Sequence, residues 1–149
     1  MKIAVVGGGI VGATCAYYLS KEQKNEIVVF DYGVGQATKA SAGIISPWFS
    51  KRRNKPWYKM ARLGADFYLK LVKDLEDDGY NTDFYSQCGV YLLKKNEDKL
   101  PELKELAESR KELSPMIGDL EIISKEEVQK IIPSFDNNGD VLYASGGGR

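Results

Sequence analysis

Three glycines near the start of the chain, Gly7, Gly9 and Gly12, are spaced as G-x-G-x-x-G. Backbone without side chains can turn tightly and approach a bulky anion, and this spacing suits the diphosphate of a dinucleotide. The first glycine allows the turn, the second lets the backbone come close to the diphosphate, and the third lets a helix pack closely on a strand. A carboxylate follows about 20 residues beyond the last glycine, at Asp31, where an acidic side chain can accept hydrogen bonds from a ribose diol. Taken alone, Asp31 reads equally as a solvated strand end; the upstream glycines favour the ribose contact. The stretch from Tyr32 to Pro47 is rich in small residues. It is either a flexible surface loop or a place where backbone itself must approach a ligand.

Strand, turn and helix must hold these residues in place, and the flanking sequence predicts them. Ile3-Ala4-Val5-Val6 is a continuous apolar run of the kind expected for a parallel strand covered on both faces. Ile10 to Ser20 reads as a crossover helix, its small residues Gly12, Ala13 and Ala16 permitting close approach to the sheet. Lys21 to Asn25 is a polar connection, and Ile27 to Phe30 is the second strand, which Asp31 closes. The N-terminus of the helix offers free N–H groups to an anion.

Composition narrows the chemistry. Over 149 residues the chain carries 21 Lys and Arg against 21 Asp and Glu, so nothing in the charge suggests a nucleic-acid partner. With no histidine present, the commonest general base and metal ligand is missing, and any chemistry falls to carboxylates, Tyr, Lys, Arg or a bound cofactor. No metal site is expected. Cys15 and Cys88 lack metal-ligand spacing and read as buried thiols in a reducing cytoplasm. No secretory signal or membrane span is legible, which places the protein in the cytoplasm.

Beyond residue 47 the chain turns to larger elements. Lys51, Arg52, Arg53 and Lys55 lie beside Trp57 and Tyr58 and read as a solvated loop, with a substrate carboxylate site as a second reading. Pro56 suits a first helical turn, and Met60, Leu63, Gly64, Phe67, Leu71 and Leu75 recur at helical spacing. A long amphipathic helix to about Asp78 follows, stopped by Gly79, with that stripe as core. Gly89 to Leu93 reads as a strand and Glu97 to Leu113 as a charged helix with Asn96 as a cap and Pro101 near its start. Leu120 to Ile123 is short and apolar; Ser124-Lys125-Glu126-Glu127 is a capping box opening a helix that Pro133 ends. Val141 to Tyr143 reads as a last strand before Gly146-Gly147-Gly148-Arg149, a turn expected to await another strand. The fold class expected is α/β: a Rossmann-like FAD/NAD(P)-binding βαβ unit followed by part of an α+β substrate domain. Residues 1–79 are expected to form the N-terminal part of the cofactor-binding domain and residues 80–149 a partial substrate-side region.

Two segments resemble the group of FAD-dependent D-amino-acid oxidases, D-amino-acid dehydrogenases and glycine oxidases. Val5 to Leu19 is similar to that family's N-terminal fingerprint, and Ala37-Thr38-Lys39-Ala40-Ser41-Ala42-Gly43-Ile44-Ile45-Ser46-Pro47 to its second flavin-contacting segment. The second match is the more specific. The resemblance implies that Gly7, Gly9, Ile10, Val11 and Gly12 line the diphosphate and that Asp31 holds the adenosine ribose. It further implies that Thr38, Lys39, Ala42, Gly43 and Ile44 run beside the diphosphate, ribityl chain and ring. Many relatives carry glutamate where this chain has Asp31, a mild departure because either carboxylate can accept the diol.

The cofactor expected is therefore FAD, and the function expected is oxidation of a small amino acid or related amine by hydride transfer to flavin. No catalytic residue is assigned: Tyr91, Arg52 and Arg53 read better as a strand aromatic and surface charges. The resembled family has further strands and a substrate-carboxylate arginine, so the chain is expected to be an N-terminal portion, as a fragment or a natural truncation, with weak or no retention of FAD on its own. The alternatives are a NAD-type dinucleotide-binding protein, against which Ala42-Gly43-Ile44 argues, and a truncated non-catalytic module that self-associates through exposed apolar surface.

Overall fold

A computed structural model describes residues 1–34, 36–52, 54–96, 98–136 and 139–149. Arg53 and Glu97, named above, lie outside them. The chain forms two compact units, Met1–Gly43 and Ile44–Arg149.

The first unit is a βαβ arrangement. Strand β1 (Lys2–Val6) leads through the glycine turn into helix α1 (Ile10–Ser20), which returns to strand β2 (Glu26–Phe30); a one-turn helix, α2 (Ala37–Ala40), follows. β1 and β2 pair in parallel, Ile3 opposite Ile27 and Val5 opposite Val29. The crossover that parallel strands require is supplied by α1. β1 was expected to be covered on both faces. Instead, burial alternates along β1, with Ile3 and Val5 half-buried on the α1 side, while Val6, Val28, Val29 and Phe30 are exposed. Among the described residues of this unit none is fully buried.

The second unit holds the core. It opens with a 3-10 turn at Pro47–Phe49, then the long helix α3 (Lys55–Asp77), strand β3 (Val90–Leu92) and helix α4 (Lys99–Glu108). A second 3-10 turn at Pro115–Ile117, strand β4 (Leu120–Ile123), helix α5 (Lys125–Ile131) and strand β5 (Val141–Ala144) complete it. The three strands form an antiparallel sheet in the order β3-β5-β4. Leu100, Leu103 and Ala107, on one face of α4, pack with Ile117, Leu142, Ala144, Ala65 and Trp48. Asn54 caps α3, its side chain accepting from the Trp57 N–H at 2.9 Å, and Gly79 at φ +82 ends it. The capping box at Ser124 and Glu127 is formed in both directions.

Several expectations are corrected here. The α3 stripe is only partly core: Leu71 is buried, but Met60 is 77% exposed and Leu63 exposed too, because the covered side of the helix runs through Ala65 instead. The basic stretch after residue 47 is not simply a solvated loop. Trp48 is fully buried, Lys51 pairs with Glu102 at 2.7 Å, and the Arg52 guanidinium lies 4.8 Å from the Trp57 ring centre. Neither Cys15 nor Cys88 is buried; both are free and exposed. The charged helix is shorter than expected, and single turns occupy residues 109–113. The expected turn is present at residues 145–146, but Gly146, Gly147 and Gly148 are buried and already paired, with Gly148 bridged to Ile45 and Arg149 to Ser86. A Cβ on Gly146 would meet the Met116 carbonyl at 1.5 Å, which is why only glycine fits.

Arg110 ties the start of this unit to α4. Its guanidinium donates to the carbonyls of Trp48 and Ser50, the latter at 3.0 Å, and stacks 4.1 Å from the Tyr58 ring centre. Ser114, fully buried, donates to Asp66 at 3.2 Å, and Arg62 pairs with the same carboxylate at 3.0 Å. No helix among the described residues is long and apolar enough to cross a membrane.

Candidate functional site

The glycine turn is shaped by two close approaches. Gly7 adopts φ +101, a left-handed conformation that side-chain-bearing residues avoid, and donates its N–H to the Phe30 carbonyl at 2.7 Å. This bond extends the β1–β2 ladder into the turn. A Cβ on Gly12 would lie 1.8 Å from the Gly7 carbonyl oxygen and 3.4 Å from Val5 Cγ1, so the third glycine is what lets α1 rest on β1. Gly9 is the N-cap of α1 and has no side chain to cap it. The first-turn N–H groups of a helix have no intrahelical partner and carry the positive end of its dipole, so they present donors to an anion.

Asp31 reaches back to this turn from the end of β2. Its Oδ2 accepts from the Gly8 N–H, and its Oδ1 accepts from the Gly33 N–H at 2.7 Å and from the Gln36 amide. The amides of Gly8 and Gly33, then the Gln36 amide and the nearby Lys39 charge, hold the Asp31 carboxyl below its ordinary value. Thr38, in α2, also turns back: its hydroxyl oxygen accepts from the Ile10 N–H at 3.1 Å and so caps α1 in place of the missing Gly9 side chain. The space for that hydroxyl exists because position 9 is glycine, whose Cβ would lie 3.1 Å from it.

Of the residues singled out in the sequence, the structure thus brings Gly7, Gly9, Ile10, Gly12, Asp31 and Thr38 together in the first unit. Val11, exposed, follows Ile10 on α1. Lys39 contributes its charge to the field at Asp31, while Ala42 and Gly43 are exposed, Gly43 at φ +71 with its N–H directed to the Ser41 hydroxyl at 3.3 Å. Ile44 begins the second unit and is 65% exposed. There it lines an open hollow of about 410 Å³ with Ile45, Pro47, Trp57, Ala61 and Tyr68. Tyr91 packs against Tyr143 on the sheet, ring centres 5.0 Å apart and the rings tilted by 37°. Two participants escaped the sequence reading. Gly8, between the fingerprint glycines, would place a Cβ 2.9 Å from Asp31 Oδ2, and Gln36 donates to that carboxylate from its side chain. The run of three consecutive glycines was the available signal for the first; nothing local marks Gln36.

This geometry fits the adenine-dinucleotide end of a flavin cofactor. The turn has no side chain where a diphosphate must approach, a helix N-terminus faces it, and an ionised carboxylate retains acceptor capacity beside it. Comparison with known proteins gives the same cofactor class. The chain is 38% identical over 145 residues to the oxidoreductase YurR of Bacillus subtilis, covering 97% of this chain and 39% of that protein. It is 29% identical to glycine oxidase of the same organism, covering 97% of this chain and 37% of the relative. Among solved structures, iminodiacetate oxidase from Chelativorans superposes with a TM-score of 0.88 at 25% identity, covering 100% of this chain and 40% of that one. The L-alpha-glycerophosphate oxidase of Mycoplasma pneumoniae, solved with FAD bound, shares the fold, with a TM-score of 0.68, 23% identity, and coverage of 99% and 38%. The chain thus spans about two fifths of the length of the relatives it matches. Residues 2–149 match the family pattern described as FAD dependent oxidoreductase, and the chain belongs to that family.

Proposed function

We propose that residues 1–149 supply the adenine-dinucleotide end of an FAD site in an enzyme that oxidises a small amino acid, a D-amino acid among the candidates, or a related amine. The observation that carries this reading is the convergence of Asp31 and Thr38 on the glycine turn, one on the Gly8 N–H and the other on the Ile10 N–H. Gly7, Gly9, Ile10, Val11 and Gly12 face the diphosphate, and Asp31 accepts from the adenosine ribose. Thr38, Lys39, Ala42, Gly43 and Ile44 follow the cofactor toward its ring. When bound, FAD supplies the redox chemistry, as acceptor of the hydride that leaves the substrate carbon when an amine becomes an imine. The residues described here bind and orient; none is assigned to the substrate.

The amine substrate class draws support from the similarity to glycine oxidase and iminodiacetate oxidase. In this reading residues 1–79 belong to the cofactor-binding domain and residues 80–149 to the substrate side. The free, exposed Cys15 and Cys88 suit a reducing cytoplasm, and exposed Val6, Phe30 and Met60 suit self-association, which light scattering measures directly. The primary test is an equilibrium titration of the protein with FAD, followed by flavin absorbance, on the unaltered chain and Asp31→Ala. Saturable FAD uptake that weakens at least tenfold in the variant, followed by anaerobic bleaching with a small amino acid, supports the reading. Uptake of NAD in preference to FAD, or no uptake of either, overturns it.

A further inference from the structure

The Asp31 carboxylate has more donors than a ribose contact alone requires. A carboxylate offers about four lone-pair sites, two on each oxygen. Here Oδ1 accepts twice, from the Gly33 N–H at 2.7 Å and the Gln36 amide, and Oδ2 accepts once, from the Gly8 N–H. One acceptor position is left, on Oδ2. The ribose of an adenine dinucleotide presents two hydroxyl donors, so Asp31 can take one of them and the other needs a second acceptor.

Gln36 is placed to be that acceptor. It is half-buried and forms the N-cap of α2, where the Ala40 N–H donates to its carbonyl at 3.0 Å, so its backbone is fixed by the same short helix that carries Thr38 to Ile10. A carboxylate only accepts, so the end of the Gln36 carboxamide facing Asp31 must be the NH2 group, and the carbonyl end is left to accept.

We propose that Gln36 is a positioning and specificity residue of the cofactor site: its amide N–H holds Asp31 for one hydroxyl of the adenosine ribose, and its carbonyl oxygen accepts the other. The proposal rests on the FAD reading above and assigns the diol to a pair of side chains rather than to Asp31 alone.

The test measures dissociation constants of FAD and of its 2′-deoxyadenosine and 3′-deoxyadenosine analogues, with hydrogen exchange over residues 1–43 as the check on folding. In the unaltered chain each analogue binds about tenfold more weakly than FAD, the effect of about one hydrogen bond. In Gln36→Ala, FAD itself weakens about tenfold, and one of the two analogues now binds as well as FAD while the other remains discriminated. Gln36→Glu keeps the carbonyl-type acceptor but loses the donor and sets a like charge against Asp31, so it binds FAD more weakly than Gln36→Ala. If Gln36→Ala binds FAD as the unaltered chain does, or still discriminates both analogues, the role of Gln36 is overturned and the FAD reading stands. If the unaltered chain binds no adenine dinucleotide, both fall together.

Discussion

Gly12→Ala is the sharpest test of how the turn is built. The added carbon would fall 1.8 Å from the Gly7 oxygen, whereas Cβ atoms essentially never come within 3.0 Å of another heavy atom. Helix and turn must therefore separate by about 1 Å in a region packed at ordinary density. Overpacking of this kind costs about 1–3 kcal/mol, and the obstacle is a backbone carbonyl that cannot swing aside as a side-chain end could. Because the obstacle is backbone, the upper end of that range applies, about 3 kcal/mol; alanine returns at most about 1 kcal/mol of helix propensity, so the net loss is about 2 kcal/mol. The damage also spreads by covalent geometry. The Gly7 carbonyl and the Gly8 N–H belong to one planar peptide, so displacing the oxygen pulls the N–H away from Asp31. The assay is hydrogen exchange resolved over residues 2–20, combined with an FAD titration. Exchange in α1 is expected to accelerate about 30-fold, the equivalent of 2 kcal/mol, and FAD affinity to fall at least tenfold. Gly64→Ala is the control: nothing lies within 4 Å of the Cβ it would add in the middle of α3, so stability is unchanged or rises by up to about 1 kcal/mol. A Gly12→Ala protein that exchanges and binds FAD like the unaltered chain would refute the argument.

Three further outcomes follow from the packing of the second unit. Arg110→Ala removes the donor to the Trp48 and Ser50 carbonyls and the stack on Tyr58, and should cost about 2–4 kcal/mol in urea unfolding, with Arg110→Lys recovering less than half. Gly146→Ala places a carbon 1.5 Å from the Met116 carbonyl and should destabilise by about 3 kcal/mol, read as a lowered melting temperature. Ser124→Ala should cost about 1 kcal/mol through loss of the cap on α5. The Ser124 hydroxyl and N–H hold the Glu127 carboxyl below its ordinary value, and Lys51 does the same for Glu102. Because both folded-state values are depressed, their contribution is complete above the ordinary carboxylate range and is lost as pH falls through the lowered values. The acid side of a stability–pH curve should therefore flatten in Ser124→Ala, and an unchanged slope would count against the assigned cause.

What could be read from the sequence was mostly what adjacent residues decide. The glycine turn, both first-unit strands, the long helix that Gly79 stops and the Ser124 capping box each depend on partners within a few residues, where spacing and caps are informative. What could not be read depends on distant partners. Trp48 lies in a charge-rich stretch and looks like a loop residue until α4 and the turn after it, about 50–60 residues later, supply Leu100, Leu103 and Arg110 to cover it. The crowding that demands glycine at position 146 comes from Met116, and that at position 147 from Val90. The cysteine reading failed because thiols are usually buried by composition, while burial at Cys15 depends on which face of α1 meets the sheet. At the candidate site, Asp31 was legible from its distance to the glycines. The cap that Thr38 places on Ile10 spans 28 residues and needed the fold to be seen.

The first unit has no fully buried side chain among its described residues, while the second carries the core. The two units should therefore respond differently to cofactor. A unit with little sequestered apolar surface opens at small energetic cost, so ligand occupancy becomes a large share of what keeps it closed. FAD at a concentration of 100 times its dissociation constant would contribute about 2.7 kcal/mol by mass action to the first unit. Added FAD should therefore slow hydrogen exchange over residues 1–43 far more than over residues 44–149.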